Sequence, residues 1–436
     1  MSLLNAIRRH IKPLNPLLLM YHKTLAVLAA LVYRFPAEKL KVVAITGTKG
    51  KSTVALLLAK IFEEAGLKVG VISTVRFQIG SNVWTNDTKM TTPGRFKLQK
   101  FLRKMVDDRC DVAIVESTSQ ALIQSRLWGV NVDTAVLTNM QTDHLEYHGG
   151  FENYLHAKGL LFRQLSRANR KGELSKTAVL PCEDSNFAYF DSFLVDHKIT
   201  FGLTKGQITA QDIELEPDST RFVLKVPNDS ITVHIKLPGE FNVLNALSAA
   251  SAAISLGVKL PIIKRGLEQF ESMPGMLESI NVGQPFNVLV DYAHTEESLK
   301  GVLSFLKPLT RNKLFVVFGA TGGGRDKAKR PRMGKIVDEL ADYIVVTDDD
   351  PYEEDRMKIM EQIAEGIDRK EGEDFWMVRD RRQGIRLALS MAGDGDTVVI
   401  CGKGSEPVQV IGTEHLQWDD RRVAKEILTE GFEVKL

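Results

Sequence analysis

Apolar positions fall into two series in which short β-branched runs alternate with longer stretches at helical spacing. The first begins at Lys41 to Thr46, KVVAIT, which meets a glycine-rich turn and is followed by STVALLLAKIFEEAG. VGVIST, a helix near Phe96 to Val106, DVAIVE, another helix, DTAVLTN and a helix after Phe151 continue it. Strands separated by helices predict a parallel sheet covered on both faces. From Ile199 to Leu237 the pattern shifts to ITFGL, AQDIELE, TRFVLKV and SITVHIKL, short alternating runs that predict a small antiparallel sheet. Two helices follow, FNVLNALSAASAAISLG and KLPIIKRGLEQF, and Ser272 to Met276, SMPGM, reads as a break. A second series, FNVLVDYA, KLFVVFGA, DYIVVT, FWMV and TVVIC, predicts a smaller Rossmann-like α/β domain. The expected class is α/β. A helical extension (1–38) precedes a central domain (39–273) with a mostly parallel sheet plus a small antiparallel one, and the smaller α/β domain (274–436) follows.

Composition narrows the function. The hydrophobic share of 44% and charged share of 26% are those of a folded globular chain, not a disordered one. Fifty-seven Lys+Arg against 55 Asp+Glu leave a formal charge of +2, too little to draw in nucleic acid, so any anion needs a local site. Cys110, Cys182 and Cys401 are odd in number and far apart, which excludes a disulfide framework or zinc ribbon and fits a cytoplasmic setting. Leu17 to Tyr33 is strongly apolar, but His22 and Lys23 interrupt it and it is short for a bilayer core of about 30 Å. It reads as a helix docked on the protein, with contact at a membrane surface behind Arg8 and Arg9 as the alternative.

Candidate chemistry concentrates first at Thr46-Gly47-Thr48-Lys49-Gly50-Lys51-Ser52-Thr53, where the first strand gives way to a helix. Glycines there let backbone N–H groups turn toward a phosphate, and the helix N-terminus favours negative charge. Lys51 can reach the β- and γ-phosphates, and Ser52 can hold Mg²⁺. The coincidence of strand, loop, GK[ST] and helix points to a P-loop nucleotide site rather than a surface turn. Two residues separate the glycines, not the four of the commoner phosphate loop. Glu116 ends DVAIVE beside that loop, where a carboxylate can coordinate Mg²⁺.

The short TGTxGK[ST] loop resembles that of the Mur ligase superfamily, and the resemblance runs through nearly everything from Lys41 onward. TTPG, ESTSQALIQSRL, TNMQTDHLEYHG, YLHAKGLLF, GEFNVLNALSA, DYAHTEESL, RDKAKRP, DDDPYEED and GKGSE follow the family's order and look most like the MurE-type, or UDP-N-acetylmuramoyl-tripeptide synthetase, branch. The resemblance implies an ATP-dependent acid–amino-acid ligase of peptidoglycan precursor synthesis. ATP would phosphorylate a carboxylate of a muramoyl-peptide acceptor, and the amino group of a free amino acid would displace the phosphate.

It also implies roles. Gly47, Thr48, Lys49, Gly50, Lys51, Ser52 and Thr53 would hold the phosphates, with Asn242 and Asn245 on the adenine side and Asp291, Tyr292 and His294 contributed by the C-terminal domain. Two Mg²⁺ ions would be held by Ser52, Glu116, His144 and Lys158, the last carbamylated and so converted from an ammonium into an anionic oxygen ligand; Lys51, Glu116, His144 and Lys158 would be the catalytic set. Without the resemblance, His144 is an ordinary loop histidine and Lys158 a helix-surface lysine. Thr91, Thr92, Ser119, Gln124 and Arg126 would contact the acceptor, although Gln120 stands where the family has His. Arg325 would pair with the carboxylate of the incoming amino acid. Asp349, Asp350, Tyr352, Gly402 and Glu406 would bind the rest of it.

Two departures carry information. Branch members that add meso-diaminopimelate have DNPR, whose Arg reads the distal carboxylate, whereas this chain has Asp349-Asp350-Pro351-Tyr352. Losing that Arg and gaining an acid favours a basic side chain such as lysine; Ser405 also replaces the His of GKGHE. The residues before Lys41 are too few for an independent domain gripping uridine diphosphate. The acceptor is therefore expected to be held through its peptide and sugar, with another chain's help, or as a lipid-linked precursor. Alternatives within the superfamily are folylpolyglutamate- and cyanophycin-type ligases; outside the enzymes, the alternative is a non-catalytic ATP-binding partner. A monomer is expected.

Overall fold

The computed structural model describes residues 15–86, 88, 90–141, 145–324 and 326–431, with the side chains of residues 145 and 146 left out. Two compact units emerge. One comprises Met1–Glu214, Arg221–Ile235 and Glu240–Phe270; the other comprises Leu215–Thr220, Lys236–Gly239 and Glu271–Leu436.

In the first unit, β1 (Lys41–Thr46), β2 (Val69–Ile72), β3 (Arg76–Ile79), β4 (Asn82–Thr85), β5 (Val112–Glu116), β6 (Thr134–Leu137), β7 (Thr177–Pro181) and β8 (His197–Phe201) form one sheet. Their order is β4-β3-β2-β5-β1-β6-β7-β8, parallel except for the β2–β3–β4 edge. Every residue of β2, β5, β6 and β7 is buried, because helices cover both faces. One face packs Val42, Ala44, Ala113, Val115, Ala135 and Leu137 against Leu98, Leu102, Leu161 and Phe162 of the helices Arg95–Asp107 and Phe151–Arg167. The helix Lys51–Glu64 is itself packed between the helices Glu240–Ser255 and Leu260–Glu268. Its apolar residues are accordingly buried nearly all round.

A separate three-stranded sheet, β9 (Thr209–Leu215), β10 (Thr220–Val226) and β11 (Asp229–Ile235), takes up most of the alternating stretch. One run does not belong there: ITFGL supplies β8, which pairs parallel with β7 (Thr200 opposite Leu180) and extends the large sheet. A half-exposed parallel edge strand alternates as a hairpin strand does, so the pattern alone mis-sorts it. The β3–β4 hairpin was not legible for a similar reason, since all four residues of β4 are exposed.

The second unit contains β12 (Glu278–Ser279), β13 (Asn287–Asp291), β14 (Leu314–Phe318), β15 (Tyr343–Thr347), β16 (Phe375–Val378) and β17 (Thr397–Cys401), in the order β12-β13-β17-β14-β15-β16, with only β12 antiparallel. Alternate residues feed two cores. Leu289, Val316, Ile344 and Val399 face one, and Val288, Phe315, Val345 and Val398 face the other. A hairpin of β18 (Val408–Ile411) and β19 (Glu414–Gln417) follows. The SMPGM segment makes a tight turn, Met276 N–H donating to the Met273 carbonyl at 3.1 Å, and leads directly into β12.

At the amino-terminal ends of the first sheet's strands lies a buried charge cluster. Asp133, fully buried, accepts from Lys171 Nζ (2.6 Å), Lys176 Nζ (2.8 Å) and the Val42 N–H (2.8 Å), tying the start of β1 to β6. Removing the carboxylate leaves two ammonium groups inside the protein with lost compensation. Asp133→Ala is expected to cost about 3–5 kcal/mol, read as a lowered urea midpoint of the first unit.

Candidate functional site

The carboxyl ends of β5, β1 and β6 lie side by side, the region where open α/β sheets bind ligands. The loop Gly47–Gly50 leaves β1 there and the helix Lys51–Glu64 begins, so Lys51, Ser52 and Thr53 occupy its first turn, where N–H groups have no intrahelical acceptor. Gly50 is the N-cap at φ 80°, without a capping side chain. A Cβ on it would fall 2.2 Å from Asn245 Oδ1, and one on Gly47 1.9 Å from Thr138 Oγ1, so both positions require glycine. Residues after β6 shape the loop from the other side. Thr48 N–H donates to the Asn139 carbonyl (3.0 Å), Lys49 N–H to Asn139 Oδ1 (3.0 Å), and Thr138 Oγ1 to the Lys49 carbonyl (2.6 Å).

Two lysines converge on one atom. Lys51 Nζ donates to the Gly47 carbonyl at 3.1 Å and to the Thr48 carbonyl at 2.8 Å, and Lys158 Nζ donates to the same Gly47 carbonyl at 2.5 Å. Lys158 is not a surface lysine: it is 1% exposed, with its ammonium 4.5 Å from the centre of the Tyr154 ring. Tyr154 in turn donates its hydroxyl to Thr48 Oγ1 at 3.3 Å. Asn242 and Asn245 are buried in the first turns of the helix Glu240–Ser255, Asn245 Nδ2 donating to Asn242 Oδ1 at 3.0 Å.

Glu116, 1% exposed, ends β5 opposite Ile45 of β1. Its Oε2 accepts from Ser52 Oγ (2.9 Å) and Thr74 N–H (2.8 Å), and its Oε1 from Thr74 Oγ1 (3.0 Å). A buried carboxylate held by hydroxyl and amide donors beside a serine at a phosphate loop is a hard-oxygen pair suited to Mg²⁺. Among the described residues there is no group of three or more His, Cys, Asp or Glu able to hold a metal. Ser52 and Glu116 supply two oxygen ligands, so an ion between them would complete its shell with water and substrate phosphates. His144 lies outside the described residues.

The acceptor candidates join the same network. Thr91 Oγ1 lies 2.8 Å from Thr74 Oγ1, Thr92 Oγ1 donates to the Glu116 carbonyl at 2.8 Å, and Arg126 grips both the Thr92 carbonyl (2.5 Å) and Gln124 Oε1 (2.8 and 3.1 Å). Ser119 Oγ lies 3.0 Å from His148 Nε2, and Gln124 Nε2 donates to the Tyr147 hydroxyl at 3.1 Å. Arg95, which no sequence motif marks, donates to the Gln124 carbonyl at 2.8 Å. Burial pulls the Arg95 and Arg126 guanidinium groups below their ordinary values, and Arg126 lowers Arg95 further by like-charge repulsion. An anion between them would relieve both effects.

In the second unit, Asp291, Gly402 and the pair Asp349–Asp350 stand just at or beyond the carboxyl ends of β13, β17 and β15. One buried lysine organises them, and no pattern in the chain marks it. Lys403, fully buried, donates to Asp350 Oδ1 (2.8 Å) and Glu406 Oε2 (3.1 Å), with Asp349 Oδ1 at 3.8 Å. Burial alone would lower this ammonium, but Asp349 and then Asp350 more than reverse it, so it is raised. It lies inside GKGSE, where one buried lysine among glycines carries no periodic signal. Asp350 Oδ1 also takes the Val410 N–H, so the acid gained at this position is already compensated within the protein. Tyr292 OH donates to Glu406 Oε1 (3.2 Å), Tyr352 sits at φ 52°, and His294 Nδ1 is 2.9 Å from the Tyr292 carbonyl. Arg325 lies outside the described residues. Arg330 of RDKAKRP is buried, bonded to Glu354, Gln362 and the Thr321 carbonyl, which makes it a structural strut.

Residues 45–253 match the Mur ligase middle domain and residues 277–404 the Mur ligase, glutamate ligase domain. The chain belongs to the Mur ligase family. It is 40% identical over 418 residues to the UDP-N-acetylmuramoyl-L-alanyl-D-glutamate–2,6-diaminopimelate ligase of Bacillus licheniformis, covering 95% of this chain and 84% of that one. Against the UDP-N-acetylmuramyl-tripeptide synthetase of a Roseiflexus species it is 37% identical, covering 93% and 82%. A solved UDP-N-acetylmuramoyl-L-alanyl-D-glutamate–2,6-diaminopimelate ligase superposes with a TM-score of 0.71 at 31% identity, over 89% of this Mur ligase and 78% of that chain. The folylpolyglutamate synthase of Mycobacterium tuberculosis shares the fold at 16% identity, with a TM-score of 0.64 over 87% and 91%.

The Asp291 carboxyl accepts the Leu277 and Ala293 N–H groups (2.7 and 2.8 Å), yet burial pushes it up to about 6. Its folded value lies above the unfolded one of about 3.9, so the folded ligase holds the proton more tightly. Stability falls as pH rises from about 4 to about 6 and stays lower above that, a difference of about 3 kcal/mol. Asp291→Asn is expected to remove this slope, seen in urea midpoints measured at pH 4.5 and 7.5.

Proposed function

We propose that this Mur ligase is an ATP-dependent peptide ligase that joins a diamino acid to a muramoyl-peptide acceptor in peptidoglycan precursor synthesis. The observation that carries this reading is the meeting of Lys51 and Lys158 on the Gly47 carbonyl of a phosphate loop whose Ser52 is bonded to Glu116. The names of the relatives, one of them a tripeptide synthetase, favour the same substrates.

The amides of Gly50 to Thr53 and the Lys51 ammonium bind the β- and γ-phosphates of ATP, and Asn242 with Asn245 lines the adenine side. Lys51 leaves the two loop carbonyls when phosphate oxygens replace them. Ser52 and Glu116 would hold Mg²⁺, which would supply positive charge against that building on the phosphoryl oxygens. A second ion would fall to His144 and a carbamylated Lys158, whose carbamate oxygens would supply anionic ligands in place of the ammonium. Thr92, Ser119, Gln124 and Arg126 hold the acceptor so that its carboxylate oxygen attacks the γ-phosphorus and ADP departs. The amine of the incoming amino acid then attacks the activated carbonyl carbon; phosphate leaves with the bonding pair, and the amine gives up a proton. Most of the acceleration in such a step comes from positioning and fixed charge.

The incoming amino acid is held by the groups around Lys403, Tyr292 and Glu406, with Arg325 on its α-carboxylate. Lysine is preferred over 2,6-diaminopimelate because Tyr352 stands where an Arg would read a distal carboxylate. With Asp350 bonded to Lys403, the preference rests on the missing Arg more than on the added acid.

Phosphate release from ATP, Mg²⁺ and the UDP-linked muramoyl dipeptide should depend on added amino acid, with lysine giving the higher kcat/KM and meso-diaminopimelate the lower. ATP binding without amino-acid-dependent turnover would overturn the reading. Glu116→Gln should lower kcat by about 10²–10³ with the fold retained by circular dichroism, as expected for losing one preorganised charge-stabilising group.

A further inference from the structure

The helix Pro16–Val32 is mounted the wrong way round for a globular protein. It turns its small residues inward, Ala26, Ala29 and Ala30 being buried, and packs beside the helix Arg95–Asp107. Its large apolar residues face out: Leu17 is 73% exposed, Met20 64% and Val32 64%, with Tyr21, Leu28 and Leu31 also exposed. At the roughly 100° per residue of an α-helix these six fall within about 120° of one another. The one polar residue on that face is Thr24, and its hydroxyl is turned back onto the Met20 carbonyl at 3.1 Å. Single exposed apolar residues need no explanation, but a continuous stripe of six calls for an apolar partner.

Charge decides what kind. The sequence holds Arg8, Arg9, Lys12, Lys23 and Arg34 and no acidic residue before Glu38, although the whole chain is nearly neutral. The neighbouring helix continues the theme. Lys97, Lys100 and Lys104 are exposed beside exposed Phe96, and with Tyr33 and Phe101 they line a cavity of about 380 Å³ at the end of the apolar helix. Arg103 fixes that junction by donating to the Tyr33 carbonyl at 2.7 Å. Among the described residues, no helix is long and apolar enough to cross a membrane. An apolar stripe flanked by cations, on a helix of 17 residues and about 25 Å, suits a position in the plane of an interface.

We propose that the outer face of the helix Pro16–Val32, together with the basic flank Lys97, Lys100 and Lys104, docks on an anionic lipid surface. The stripe enters the headgroup–acyl boundary, and the lysines sit among lipid phosphates. Binding is thus apolar and electrostatic at once, and salt weakens it. The inference is independent of the amino acid added and of the acceptor, since none of these residues belongs to the ligation site.

The test is sedimentation of the full chain with vesicles of phosphatidylcholine containing phosphatidylglycerol, against vesicles of phosphatidylcholine alone. Co-sedimentation with the anionic vesicles, lost in about 0.5 M salt, is expected. Leu28→Glu with Leu31→Glu should abolish it, and Lys100→Glu with Lys104→Glu should weaken it by at least about fivefold per lysine. All four positions are exposed, so circular dichroism and ATP-dependent phosphate release should stay as in the parent. Three results would overturn the proposal: no binding to anionic vesicles, equal binding to neutral ones, or binding that survives the Leu28/Leu31 change. So would light scattering that shows a concentration-dependent dimer abolished by that change, because a second copy would then cover the stripe.

Discussion

The carbonyl of Gly47 is the point on which the first unit's chemistry turns. It accepts from Lys51, the first residue of the following helix, and from Lys158, far along the chain on the helix Phe151–Arg167. One backbone oxygen thereby ties the start of the helix Lys51–Glu64 to the helix Phe151–Arg167. The geometry exists because no side chain intrudes: at both Gly47 and Gly50 a Cβ would collide with a polar group, Thr138 in one case and Asn245 in the other. The loop is thus clamped between the end of β6 and the helix Glu240–Ser255, with its Thr48 and Lys49 N–H groups held by Asn139.

Positioning of this quality depends on the far end of the sheet. Asp133, with Lys171 and Lys176, fixes the start of β1, and β1 delivers the loop at its other end. Burial of such a cluster gives little net stability, but it leaves few alternative registers for the strand. The second unit uses the same device nearer its ligand groups, where Lys403 gathers Asp349, Asp350 and Glu406 at the carboxyl ends of its parallel strands. Each unit therefore has a buried charge cluster that braces the ends of its parallel strands.

Much of the fold could be read in the chain. The runs KVVAIT, DVAIVE and TVVIC are buried on both faces, so their unbroken apolar character announces parallel strands. The phosphate loop was equally legible, because glycine, lysine and serine at fixed offsets between a strand and a helix serve few other purposes. ITFGL was mis-sorted because a half-exposed edge strand has the alternation of a hairpin. Lys158 could be picked out only by resemblance, since one lysine on an amphipathic helix looks like its solvated neighbours. Lys403 and Arg95 carried no signal, because their importance comes mainly from partners tens of residues away, Asp349 and Asp350 in one case and Gln124 in the other.

By itself the sequence determined the α/β class, the two series of strands and the local chemistry of the phosphate loop, all of which follow from short-range periodicity and from residues adjacent in the chain. Tertiary structure alone decided that Lys158 is buried on the Gly47 carbonyl, that Asp350 is already neutralised by Lys403, and that the first helix turns its leucines outward. Each is a matter of which distant side chain fills a given space, and desolvation and charge pairing act through distance in space, which the order of residues does not specify.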